Sequence, residues 1–139
     1  GNLEAESGLN SCIYQTSYRK KTWKYFQSRI LQQVNKGTYS AKSFIHDSVG
    51  FGLAQWTFWS LKQELYETCK GKIGNLNCQL KYLVKSLKKE GPWSTLTSSN
   101  DVRVCSNAVL FKYERPADQS EAAQNRRYSF ALKHYNRFK

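Results

Sequence analysis

Apolar residues along this 139-residue chain fall mostly at steps of three and four, the period of helices. Leu3-Glu4-Ala5-Glu6-Ser7 are good helix formers that run into Gly8, a helix stop. Gly1 to Ser7 therefore reads as the last turns of a helix whose start is absent. Isolated helices need about 12 residues, so this stub must pack on the domain, or residues are missing upstream. In Ser17 to Val34, Trp23, Phe26, Ile30 and Val34 set a helical stripe, with Arg and Lys on the outer face. Asn35-Lys36-Gly37 ends it, and residues 38–50 read as a loop. Phe51 to Cys69 starts with the turn glycines Gly50 and Gly52 and continues as a helix through Leu61, Leu65 and Tyr66. Lys70 to Gly74 is a turn. Leu80, Leu83, Val84 and Leu87 mark a helix over Asn77 to Lys89, which Gly91-Pro92 breaks. Asn100-Asp101 has cap chemistry for a helix through Val104, Ala108, Val109 and Phe111. Glu114-Arg115-Pro116 interrupts it. Ser120 and Glu121 start a last helix carrying Ala123, Tyr128, Ala131, Leu132 and Tyr135. The fold class is all-α, with room for a minor β hairpin. No repeat and no linker divides the chain, so residues 1–139 are expected to form one domain.

Composition narrows the class. The chain is 40% hydrophobic and 14% aromatic, with 2 Pro and 8 Gly, which is globular rather than disordered. No apolar run approaches the ~20 residues of a membrane span, and the sequence is expected to carry no signal peptide. The chain is expected to be a mature or excised piece of a longer polypeptide. A net charge of +12 seeks a polyanion, either nucleic acid or an anionic cell wall, or else simply solvates the surface. Four cysteines, Cys12, Cys69, Cys78 and Cys105, lack any C-x-x-C spacing, and His46 and His134 are the only histidines. This spacing argues against zinc, and no metal or other cofactor is expected. Up to two disulfides with three possible pairings fit an oxidising setting. Cys69 and Cys78, with Gly71 and Gly74 between them, form the first candidate pair.

Three segments have candidate chemistry. In Glu6-Ser7-Gly8-Leu9-Asn10, a carboxylate at a helix end can project into a cleft. Desolvation there raises its pKa, as a general acid for glycoside cleavage requires. On its own the motif would also suit a surface glutamate. In Gly50-Phe51-Gly52-Leu53-Ala54-Gln55-Trp56, the glycines let backbone approach a ligand. Gln55 can bond sugar hydroxyls or N-acetyl groups, and Phe51 and Trp56 have flat faces for sugar rings. The same string would suit a tight turn with two core aromatics. In Phe111 to Asp118, followed by Arg126-Arg127, Tyr113 can point into a cleft, and Glu114 can pair with an arginine as part of a helix junction.

Glu-Ser-Gly followed by Gly-Leu-Ala-Gln resembles the paired signatures of goose-type lysozymes and soluble lytic transglycosylases. The strings GNLEAESGLN, GFGLAQWTFWSLKQEL, IGNLNCQLKYL and YERPADQSEAAQNRRYSFALKHY resemble the phage tail lysozyme family, in the same order and over nearly the whole chain. The resemblance implies a lysozyme-like helical domain with a substrate cleft. Such a domain cleaves the β-1,4 bond between N-acetylmuramic acid and N-acetylglucosamine. It places the catalytic glutamate on Glu6 and the substrate-binding Gly-Leu-x-Gln turn on Gly52, Leu53 and Gln55. In goose-type lysozymes an acid just ahead of this turn helps to activate water. Asp47 stands near that place, with one residue fewer before the turn, and a further acid after the turn is replaced by Thr57. The family's upstream helix is missing here, and residues 11–46 are not assigned to subsites.

The leading function is thus a muramidase, with Glu6 as general acid and Asp47 activating water across a gap of ~6.5–9.5 Å. The alternative is a lytic transglycosylase in which Glu6 alone serves as acid and base and Asp47 caps the loop at Ser48. Asp47→Asn is expected to depress hydrolysis and leave the melting temperature nearly unchanged. A non-catalytic wall-binding module would not need Glu6 within its full motif. A nucleic-acid-binding domain would suit the charge, but no such motif supports it. The expected partner is peptidoglycan in an anionic wall, met by a monomer outside the cell, at the wall or in a phage virion.

Overall fold

The computed structural model describes residues 1–14, 36–37 and 39–139. The predicted helix over Ser17 to Val34 lies outside the described residues, apart from its end at Lys36-Gly37. The described secondary structure is helical, with isolated antiparallel bridges pairing Phe51 with Tyr14 and with Trp56. The chain forms two compact units, one of Gly1–Gly8 with Leu83–Lys139, the other of Leu9–Tyr82.

In the first unit, α1 (Asn2–Ser7) ends at Gly8, which takes the left-handed conformation at φ 60° and returns its N–H to the Glu4 carbonyl at 3.0 Å. The short helix is held by tertiary contacts. Buried Asn2 donates to the Ser106 carbonyl at 3.0 Å. A Cβ on Gly1 would lie 2.4 Å from the Arg127 carbonyl oxygen, so only glycine fits that approach. The stub thus packs on the unit, as its length requires. α6 (Val102–Val109) starts at Asp101, whose Oδ1 accepts the N–H groups of Arg103 and Val104. α7 (Glu121–Phe138) starts at Ser120, which accepts from Ala123 N at 3.3 Å. Both caps match the sequence signals. Between these helices, Leu110–Glu114 widens into a π-helix, closed by Arg115 at φ 45° with its N–H on the Leu110 carbonyl at 2.8 Å. The interruption expected at Glu114-Arg115-Pro116 is this widened turn and its left-handed stop. α5 (Trp93–Ser98) was not predicted; it follows Pro92, whose fixed φ suits a helix start.

In the second unit, α2 (Ala41–His46) lies within what the sequence reads as a loop. Ser40 caps it by accepting from Ser43 N at 3.0 Å, a signal present but set in too short a helix to show periodicity. α3 (Trp59–Thr68) follows the Gly50–Trp56 turn, and α4 (Leu76–Glu90) matches its prediction closely. The residues of α4 up to Tyr82 belong to this unit and the rest to the first. Tyr14, Phe44, Phe51, Leu53, Trp56, Leu65, Ile73 and Tyr82 form the core. Cys69, which ends α3, is joined by a disulfide to Cys78 in α4, with Cα atoms 5.6 Å apart. This is the expected first pair. Cys12 and Cys105 are free thiols, so one disulfide forms here rather than two.

Candidate active site

Glu6 occupies the last turn of α1, where the Gly8 stop turns the chain away and leaves the side chain free to reach sideways. Its Oε1 accepts from Nη2 of Arg127 on α7. The side chain is 21% exposed, against 10% for Arg127. The same arginine donates from Nε to Glu114 Oε2 at 3.3 Å. Glu114 closes the π-helix and is 3% exposed. Burial and the charge of Glu6 push its carboxyl up from 4.5 to about 7, against the opposing pull of Arg127. The first unit therefore contains a Glu–Arg–Glu cluster. Pairing of Glu114 with an arginine was legible in sequence. That the arginine also holds Glu6 was not. Tyr113, expected in a cleft, has its hydroxyl 2.6 Å from Ser86 Oγ within the first unit.

Asp47 ends α2 in the second unit and has three partners there. Its Oδ1 pairs with Nζ of Lys62, a lysine with 0% side-chain exposure, and accepts from Val49 N at 3.0 Å. Its Oδ2 accepts from the Tyr39 hydroxyl at 3.1 Å. Lys62 also donates to the Val49 carbonyl at 2.9 Å and lies 4.4 Å from the Phe44 ring centroid. Burial lowers the Lys62 pKa, and Asp47 opposes that shift. The loop at Ser48, with φ 56°, is thus closed by Asp47, which is the capping role weighed for it. Lys62 was missed. The signal was a lysine three residues before Leu65, on the buried stripe of its helix.

In the Gly50–Trp56 segment, the Phe51 ring is fully enclosed against Tyr14 at 4.9 Å and Phe44 at 5.4 Å between centroids. Trp56 is 3% exposed and packs on Tyr82 at 5.1 Å, and Leu53 is likewise buried. These side chains form core, and their rings do not offer the open faces that the sequence reading gave to Phe51 and Trp56. Gly52 sits at φ 77°, and a Cβ there would lie 2.7 Å from Gln79 Oε1. The close approach that this glycine permits is made by Gln79. That buried amide accepts from Leu53 N at 2.9 Å and donates to the carbonyls of Ser11 and Ile73. Gln55, at φ 48°, donates to the carbonyls of Ile13 and Gly52, both at 3.1 Å, and so holds its own turn together.

The open aromatic faces lie just beyond this turn. Phe58 is 74% exposed and Trp59 57% exposed. Trp59 stacks one face on His46, with centroids 6.0 Å apart and planes 22° apart, beside Asp47 in sequence. The sequence reading passed over both because they precede the periodic part of α3. Among the described residues, no group of three or more His, Cys, Asp or Glu could hold a metal ion, and no helix is long and apolar enough to cross a membrane.

The family model for phage tail lysozyme matches residues 1–138. No curated protein and no solved structure matches the chain.

Proposed function

This chain belongs to the phage tail lysozyme family, and on that premise we propose that it is a muramidase with Glu6 as its general acid. Its substrate is then the β-1,4 bond between N-acetylmuramic acid and N-acetylglucosamine. The observation that carries the reading is the placement of Glu6. It is a partly enclosed carboxyl at a glycine-stopped helix end, held in orientation by an arginine that is itself nearly buried. Orientation matters because a general acid must lie within hydrogen-bond reach of the leaving oxygen. Glu6 gives its proton to the glycosidic oxygen as the bond to the muramyl C1 breaks. Water adds its oxygen to C1 and loses a proton to a base.

Asp47 is the proposed base. A carboxylate has about four acceptor positions, and Lys62, Val49 and Tyr39 occupy three of them. The remaining position on Oδ2 is the one that can hold water. This heavy commitment of Asp47 also favours a second reading, lytic transglycosylase action. There the muramyl C6 hydroxyl attacks C1 in place of water, and Glu6 takes up its proton. Asp47 then serves structure alone. In either case we assign sugar stacking to the open faces of Phe58 and Trp59, and backbone hydrogen bonding to the Gly52–Gln55 turn.

The family match runs through both compact units, which supports treating residues 1–139 as one catalytic domain. The net charge of +12 suits an anionic wall, and the Cys69–Cys78 disulfide suits an oxidising setting such as the cell exterior or a virion. Mass spectrometry of digested peptidoglycan tests the reaction. Reducing-end muramic acid is the expected product. Anhydro-muramic acid would select the second reading, and intact glycan would dismiss both.

A further inference from the structure

Glu114 has no part in the reaction as proposed, yet it is the most buried carboxylate of the cluster. Its Oε2 accepts from Arg127 Nε at 3.3 Å, while its Oε1 is buried with no hydrogen-bond partner among the described residues. Arg127 reaches Glu6 through a different nitrogen, Nη2. The guanidinium is planar and rigid, so a group that fixes Nε also fixes the direction of Nη2. The π-helix places Glu114 at this point. Its i to i+5 closure, Arg115 N–H to the Leu110 carbonyl, ends the segment at Arg115, which turns instead to Glu90 at 3.1 Å. π-bulges of this kind are frequent at functional sites.

We infer that Glu114 is a positioning residue for Glu6, acting through the guanidinium of Arg127 that both carboxylates share. The inference rests on the reading of Glu6 as the acid. Among the described residues, Arg127 is the one cation that both carboxylates contact, so this trio is neutral only when one of them holds a proton. The charged groups around Glu114 are Glu6 from α1, the Gly1 amino group just ahead of that helix, and Arg127 from α7. Burial raises the Glu114 pKa to about 7, so the pair keeps one proton up to about that pH. Above it, Glu114 ionises, divides the charge of Arg127 and opposes a second negative charge beside it.

Two measurements test this, one of them independent of activity. In carboxyl-carbon NMR of protein labelled at glutamate, the Glu114 signal titrates near pH 7. In Glu6→Gln it moves down by about half a unit or more, because a neighbouring negative charge is gone. An unmoved titration would overturn the inference whether or not the chain cleaves peptidoglycan. The second measurement is the pH profile of kcat/KM in Glu114→Gln. Its alkaline limb is expected to shift to lower pH by about half a unit or more. A purely structural role would lower Tm and leave that limb in place, which would equally overturn it. If neither wild type nor variant cleaves peptidoglycan, the functional reading fails, and the NMR titration still decides the coupling.

Discussion

Asp47 is the counter-charge of Lys62, a lysine whose side chain has no exposed surface. The amine also meets the Val49 carbonyl and the Phe44 ring, so it is held from three sides. Asp47 therefore supports the fold whatever it does in catalysis. Removing one partner of a buried pair costs about 3–5 kcal/mol. Asp47→Asn is accordingly expected to lower stability by about that amount in urea unfolding at pH 7. This revises the sequence-based expectation of an unchanged melting temperature. The double variant Asp47→Asn with Lys62→Met should recover part of the loss, since an apolar group then fills the site. A single variant as stable as wild type would show that the pair contributes nothing.

Much of this arrangement was legible in the chain, and what escaped has a physical reason. Helices with caps and sustained stripes, such as α4, α6 and α7, were predicted close to their observed positions because local chemistry and burial agree there. α2 and α5 escaped because six residues are too few to display a period. In the Gly50–Trp56 turn, sequence identified the segment and misjudged what its residues face. Gly52 is a glycine because Gln79 packs on it, a contact across 27 positions that no local pattern encodes. Glu6 stood out through its motif. Its tie to Arg127 spans 121 positions and could be seen only in the fold.

Glu114 gives stability a pH dependence of predictable sign. Its folded-state pKa is raised from 4.5 to about 7. The folded protein therefore binds this proton more tightly than the unfolded chain does. The resulting stabilisation is complete below about 4.5 and is lost as pH rises through about 7. At about 1.4 kcal/mol per unit, the loss is roughly 3–4 kcal/mol. Unfolding free energy is expected to fall between pH 4.5 and pH 8, and Glu114→Gln should flatten that fall. A wild-type curve that rises across this window would contradict the placement of the buried carboxyl.

The cysteines make a chemical prediction. Denatured, unreduced protein should show two reactive thiols, those of Cys12 and Cys105, and reduction should release two more from Cys69 and Cys78. Reduction is expected to cost about 2–4 kcal/mol of stability. Four thiols before reduction, in protein purified from an oxidising medium, would exclude the bridge.

Trp59 distinguishes open aromatic faces from buried ones. Trp59→Ala, at a position 57% exposed, should leave Tm within a few degrees. If sugar stacks there, KM for soluble glycan strands should rise roughly tenfold, which corresponds to about 1.4 kcal/mol of lost binding. Trp56→Ala should instead destabilise by about 3–5 kcal/mol, because that ring lies in the core. A KM unchanged in Trp59→Ala would remove the ring from the binding surface.

In the proposed reaction Glu6 delivers the proton that breaks the glycosidic bond. Glu6→Gln keeps the size and a hydrogen-bonding oxygen for Arg127 while removing the transferable proton. Loss of general acid catalysis typically costs 10²–10⁴-fold, roughly 3–5 kcal/mol of barrier. The deciding measurement is the rate of muropeptide release from purified peptidoglycan by wild type and Glu6→Gln, with circular dichroism and sacculus binding as controls. The expected result is a drop of at least about a hundredfold in a folded, wall-binding protein. A folded Glu6→Gln variant that releases muropeptides at the wild-type rate would contradict it.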